Sequence, residues 1–286
     1  MKISALVALA GFALAATMLS QSASADEAKC EPDKVATKYP SLAGKTIKVG
    51  ADGDTRPYAY PDPKDKHLIG LDVELAEAAF KCIGVPIEWK LGPWSGQLPA
   101  VANGQTDLMW DSLYYTPERA GAMDFVVFMK AGTGVMVQKG NPKNVKSLDD
   151  FCGLRTAAGL ATIEEAKFRE LSKDCVAKGK KELEIITAPD IPATARLVLN
   201  DRADLLMINL GMINAFVEDN KDKVENAFTI VTEIKVGVGA NKKNPELEKA
   251  VAEALAVMRA DGTEKKIYDT YAYDYNLSGP IEVLTK

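Results

Sequence analysis

Histidine is almost missing from this 286-residue chain, which has only His67. A Ser-His-Asp or Cys-His constellation would have to be built in the charged loop around that residue, so nucleophilic hydrolysis finds no support. The four cysteines, Cys30, Cys82, Cys152 and Cys175, include no C-x-x-C pair. Without close pairs or further histidines no metal site is expected. Basic charge is also in deficit: 35 Lys and Arg stand against 40 Asp and Glu, a formal charge of -5 and a pI near 5.2. Nucleic-acid binding needs a basic face to neutralise phosphates, so no nucleic-acid partner is expected. A G-x-x-x-x-G-K-[ST] phosphate loop is absent, and no spacing singles out a catalytic pair among the acids. The expectation is a protein that is not an enzyme and uses no cofactor.

Long apolar runs are missing as well, except at the very start. Lys2 precedes an almost wholly apolar stretch over 3–18, and Ala23-Ser24-Ala25 has the small-residue form of a cleavage site. The run falls short of the roughly 20 residues that span a bilayer core. Asp26, Glu27 and Ala28 follow, with no cysteine to carry a lipid. The reading is a secretion signal cut near Ala25 and a mature chain in the periplasm. In that oxidising space the even set of cysteines reads as two disulfides, for which three pairings exist. The favoured one joins Cys152 to Cys175 in a local loop and Cys30 to Cys82, pinning an N-terminal arm to the first domain.

What remains is ordinary globular composition, 47% hydrophobic and 26% charged. After an arm over 26–40, a strand over 46–51 leads through a turn-rich stretch to a helix over 72–83, with Gly84 as its C-cap. A strand over 86–91, a short helix over 98–103 and a strand over 107–111 follow. An extended run, 125–137, interrupts this rhythm before a second β-α series over 155–218. A second extended run, 228–240, precedes helices over 245–261 and 264–271. Alternating strands and helices imply mainly parallel sheets with helices on both faces. Two such units joined by two crossings predict an α/β fold of two lobes about a hinge, with Gly132 and Gly237 giving the crossings flexibility. The expected bounds are 41–132 plus 234–275 for lobe 1, 133–233 for lobe 2 and 276–286 for a C-terminal tail. Ligands of open α/β sheets sit at the carboxyl ends of strands, so the interlobe cleft is the expected site.

One stretch stands out, Trp110 to Phe125. Arg119 follows a strand end and the Thr116-Pro117 turn, which sets a bidentate guanidinium at a cleft mouth, suited to a carboxylate. Thr116-Pro117-Glu118-Arg119, with Asp124-Phe125 behind it, resembles the T-P-E-R-x-x-x-x-D-F signature of family 3 extracytoplasmic solute-binding proteins, the amino-acid receptors of ABC importers. Pro57-Tyr58-Ala59-Tyr60, Gly70-Leu71-Asp72-Val73-Glu74-Leu75-Ala76 and Trp94-Ser95-Gly96-Gln97-Leu98-Pro99-Ala100 are similar to further motifs of that family, in its order. So are Gly104 to Asp107, Arg202-Ala203-Asp204 and 260–268, and the likeness covers nearly all of the mature chain.

The resemblance implies the type II periplasmic-binding-protein fold, a small carboxylate ligand, an inner-membrane ABC permease as partner and a monomer. It implies that Arg119 clamps the carboxylate and that the backbone around Ser112 and Tyr114 adds hydrogen bonds. The helix N-terminus after Thr162 would offer N–H groups and a positive dipole end to the same anion. Thr162 with Glu165 also fits a capping box. Asp52 would face the cleft and read an ammonium, while Tyr58 and Trp94 would pack on the ligand's apolar part. Asn209 stands where the family's aspartate pairs with the α-ammonium, and an amide keeps only hydrogen bonds there. With Tyr114 in place of a small residue, this admits a second ligand class, aromatic or polycarboxylate compounds without an ammonium, such as pyrroloquinoline quinone. Two rival classes are an accessory protein of a periplasmic quinoprotein (methanol) dehydrogenase and, less in keeping with the residues, a dehydratase of prephenate or arogenate.

Overall fold

The computed structural model describes residues 29–285, so the expected leader and its cut lie outside the described residues. The chain opens with a 3-10 turn, Pro32–Lys34, and helix α1 (Val35–Lys38), then enters strand β1 (Ile47–Ala51). A small hairpin, β2 (Tyr60–Pro61) and β3 (Leu68–Ile69), precedes α2 (Leu71–Ile83), β4 (Ile87–Leu91), α3 (Trp94–Asn103), β5 (Leu108–Tyr114) and α4 (Arg119–Ala122). The long β6 (Asp124–Gln138) carries the chain to a second series: β7 (Arg155–Gly159), α5 (Ile163–Ala177), β8 (Glu184–Ala188), α6 (Ile191–Leu199), β9 (Leu205–Asn209) and α7 (Leu210–Asp219). The equally long β10 (Val224–Ala240) returns it to α8 (Pro245–Ala260), α9 (Thr263–Thr270) and β11 (Ser278–Leu284).

Local chemistry explains these elements. Along α2 the residues Leu71, Leu75, Ala76, Ala79, Phe80 and Ile83 recur at helical spacing, and all are buried. Gly84 ends that helix at φ 85°, donating its N–H to the Phe80 carbonyl, and a side chain there would strike the Pro32 carbonyl oxygen. The Thr162 hydroxyl caps α5 by accepting the Glu165 N–H at 3.1 Å. Glu165 reaches back to the Ala161 N–H at 2.8 Å, one residue before the position a standard capping box uses.

The main sheet runs β4-β1-β5-β10-β6-β9-β7-β8, with β11 also on β6. Pairing is parallel at both ends and antiparallel along β10 and β6. Those two strands form the ladder that joins the ends. On one edge of β6, β11 pairs with Phe125 to Met129 and β9 with Thr133 to Val137, so β6 serves first one end and then the other. The β6–β10 register breaks between Val231 and Lys235, opposite Gly132 and Lys130. A separate apolar cluster around Phe151, Phe168 and Leu205 lies under the β7–β9 end, while the larger core fills the rest.

Four details depart from expectation. Helix α3 starts at Trp94 rather than Leu98, with Pro93 as its N-cap, and runs through Pro99 at the cost of one backbone donor. Strand β5 runs on to Tyr114. Residues expected as a tail contain β11, whose Gly279 and Pro280 mask the strand pattern. Gly237 lies within the ladder, where a Cβ would come 2.0 Å from the Val126 carbonyl oxygen, so close strand packing rather than hinge freedom requires it. Gly132 does flank the register break.

Both favoured disulfides form. Cys30–Cys82 has a Cα separation of 4.6 Å and Cys152–Cys175 one of 5.6 Å, within the usual range. The first ties the N-terminal arm to α2, and Tyr39 of that arm is buried in the core with Leu42 just after it. Among the described residues no helix is long and apolar enough to cross a membrane.

Candidate ligand cleft

The carboxyl end of β5 from one half of the sheet faces that of β9 and the start of α5 from the other, as open α/β sheets favour. Between them lies a cavity of about 30 Å³, bounded by Asp111, Ser112, Tyr114 and Arg119 on one side and by Thr162, Glu164 and Asn209 on the other. Trp94, Ile191 and Met212 supply apolar wall. Such a volume holds a water or two, far below the roughly 300–1,000 Å³ of ordinary small-molecule sites. The two halves are thus closed on one another.

Arg119 opens α4, and its guanidinium donates to the Tyr114 carbonyl at 2.8 Å and, across the cleft, to the Ala161 carbonyl at 3.1 Å. It lies 5.8 Å from the Trp94 ring centroid, a cation–π distance. Burial pulls its pKa down, against the opposing charge of Glu164. Ser112 sits at φ 46°, a left-handed conformation costly for a non-glycine residue inside a strand. Asp72, at the start of α2, holds it there by accepting the Ser112 N–H.

Acids crowd the β5 side. The Asp111 carboxylate accepts the Asp52 N–H at 2.9 Å and the Thr55 hydroxyl at 3.1 Å. Burial pushes Asp111 and Asp72 up to about 7. Asp52 also rises to about 7, through burial first and the Asp111 charge second. Its carboxylate accepts the Trp94 N–H at 3.3 Å. On the facing side, burial likewise raises Glu164 to about 7.

The cavity lining therefore includes six of the eight residues named from sequence: Trp94, Ser112, Tyr114, Arg119, Thr162 and Asn209. Asp52 and Tyr58 are buried but stand outside the lining. Asp52 joins the end of β1 to α3 instead of presenting a free carboxylate. The Tyr58 hydroxyl donates to the Asn209 Oδ1, which also accepts the Gly211 N–H at 2.8 Å as the cap of α7. The amide oxygen of Asn209 is thus engaged before any ligand arrives. Asp111 and Glu164 escaped the sequence reading. An acid inside the apolar run 108–114 was a usable signal for Asp111; an acid in a first helical turn is explained by the dipole alone and gave none for Glu164.

Asp62, Asp65 and His67 bring metal-type atoms within 4.8 Å of one another. They lie between β2 and β3, apart from the cavity, with His67 paired to Asp65.

The family model for bacterial extracellular solute-binding proteins, family 3, matches residues 47–274. A probable amino-acid-binding protein of Bacillus subtilis is 30% identical over 228 residues, covering 79% of this chain and 83% of its own. The L-cystine-binding protein of Escherichia coli is 27% identical over 219 residues, 76% of this chain and 79% of its own. Among solved structures, an ancestral arginine-binding protein bound to arginine aligns with a TM-score of 0.73 at 27% identity, covering 79% of this chain and 97% of its own. These neighbours share the type II periplasmic-binding-protein fold.

Proposed function

Since the chain belongs to the bacterial extracellular solute-binding proteins of family 3, we propose that it is a periplasmic receptor for a small carboxylate, an amino acid or related organic acid. It would close over that ligand between two lobes and present the closed form to an ABC permease. The observation that carries this reading is the meeting of the Arg119 guanidinium with the N-terminus of α5 in one buried cavity. A guanidinium fork and a helix N-terminus are both suited to holding a carboxylate, and here they converge from opposite sides. Ser112, Tyr114, Trp94 and Thr162 would complete the wall, with Asn209 contributing its amide N–H groups.

The lobes we infer are 133–233 for one and, for the other, 41–132 with 234–284, since β11 pairs with the early part of β6. The register break between Val231 and Lys235 supports a hinge beside Gly132. A cavity of about 30 Å³ admits no amino acid, so entry would require these lobes to part. A ligand without an ammonium is the second reading, favoured by Asn209, whose oxygen is already used by Tyr58 and Gly211.

A thermal-shift screen of the purified protein against amino acids, dicarboxylic acids and aromatic acids tests both. Ligand at 100 times its Kd adds about 2.7 kcal/mol of stability. At least one carboxylate should raise Tm, and amino acids against ammonium-free acids should tell the two readings apart. A screen with no hit would overturn the receptor reading and point to a role in protein–protein association.

A further inference from the structure

The cleft is lined by one of the chain's own carboxylates as well as by Arg119. Glu164 is the second residue of α5, and its side chain turns inward to line the cavity instead of pointing to solvent. The residue is 5% exposed, and its Oε1 is buried with no hydrogen-bond partner. Against burial, the ionised carboxylate is favoured first by its own backbone N–H, then by the Arg119 charge across the cleft and by the Thr162 hydroxyl. Its partners are therefore the guanidinium and the helix N-terminus, the same pair that would hold a ligand carboxylate. No ion pair within 4 Å joins Glu164 to a side chain among the described residues, so Arg119 is neutralised across the cavity and not by direct contact.

We infer that Glu164 is an internal surrogate for the ligand's carboxylate: it balances Arg119 in the closed, ligand-free protein and competes with any carboxylate that enters. This rests on the carboxylate-receptor reading and deepens it. The physical reason is desolvation. A half-buried guanidinium beside a water-sized cavity is favoured by an opposite charge, and Glu164 supplies a carboxylate tethered within reach of it. An incoming acid meets a buried like charge and must displace or neutralise it. The same residue then sets specificity, because only a ligand with enough further contacts overcomes the tethered competitor.

A rival role has the opposite sign. With Asn209 in place of an aspartate, Glu164 could instead read a ligand ammonium, and removing its charge would then weaken amino-acid binding.

Isothermal titration of L-arginine, L-glutamine, L-cystine, lactate and glutarate into the wild-type protein, Glu164→Gln and Glu164→Ala separates these cases. The inference expects at least tenfold tighter binding of one or more of these acids to Glu164→Gln, with Glu164→Ala at least as tight. Equal affinity in wild type and Glu164→Gln overturns it while leaving the receptor reading intact. Weaker binding to Glu164→Gln overturns it and assigns Glu164 to an ammonium. Binding by the variants alone supports the inference and sinks the receptor reading for the native protein. If no acid binds any of the three proteins, both fail, since an unplugged anion site should accept one.

Discussion

The two walls of the cleft carry similar numbers of polar groups and use them differently. On the β5 wall every acid has backbone work to do. Asp111 accepts from Asp52 and Thr55, Asp72 holds Ser112 in its left-handed turn, and Asp52 accepts the Trp94 N–H. These acids shape the wall: Asp72 keeps one unpartnered oxygen but stands outside the cavity lining, and the unpartnered polar atoms of the lining on this side are neutral, the Ser112 and Tyr114 hydroxyls and the Trp94 indole N–H. On the α5 wall, the carboxylate of Glu164 faces the cavity with one oxygen that has no partner. The difference teaches that burial of a charged side chain marks a site only when its unspent hydrogen-bonding capacity also faces the cavity. Arg119 belongs to the first wall by sequence and to both by contact, through Tyr114 and Ala161.

The comparison can be broken most directly at Arg119. Replacement by alanine removes the cation that faces both walls, and loss of one member of a desolvated charge pair costs about 2–5 kcal/mol, hence about thirtyfold or more in carboxylate affinity. Titration of whichever acid the screen returns measures this; undiminished binding would mean the guanidinium is not the clamp.

The disulfides test whether the two ends are separable, since each end has one. Chain entropy assigns about 4 kcal/mol to Cys30–Cys82 and about 3 kcal/mol to Cys152–Cys175 for separations of 52 and 23 residues. Paired Cys→Ser variants should therefore lower Tm in that order. The reverse order would show that the β7–β9 end depends more on its local loop than on its core.

A pH series sharpens the contrast between committed and uncommitted acids. Asp72 and Asp111 have folded pKa values raised from the ordinary Asp range to about 7. The protonated, folded form is therefore favoured: the contribution to stability is complete below about pH 4 and is lost as pH rises through about 7. Unfolding free energy should fall by about 2–3 kcal/mol for each of the two groups between pH 5 and 8. Asp72→Asn should shrink that fall, and denaturant melts at the two pH values would reveal an unchanged slope if Asp72 is not its source.

The smallest effect is at Asn209. Restoring a carboxylate with Asn209→Asp should favour α-amino acids over ammonium-free acids by about tenfold, the scale of one added charged hydrogen bond. An unchanged ratio would remove Asn209 from ligand contact.

How much of this was written in the sequence differs between fold and site. Periodicity and punctuation carried the alternating elements, the Gly84 and Gly104 helix ends and the Thr162 cap, because each depends on residues within a turn or two. Motif order placed Trp94, Ser112, Tyr114, Arg119, Thr162 and Asn209 near a common cleft, since all lie at the ends of such elements. Tertiary structure alone decided what depends on distant partners. β11 is a strand because β6 has a free edge there, and Gly237 is needed because Val126 lies against it. Asp52 faces a backbone N–H and not the cavity because α3 starts beside it. Glu164 points inward for a similar reason: which way a first-turn side chain turns depends on what the facing wall presents, and here that is a half-buried arginine. Local pattern sets where a side chain is placed along an element, while the partner that makes its charge worth burying comes from elsewhere in the fold.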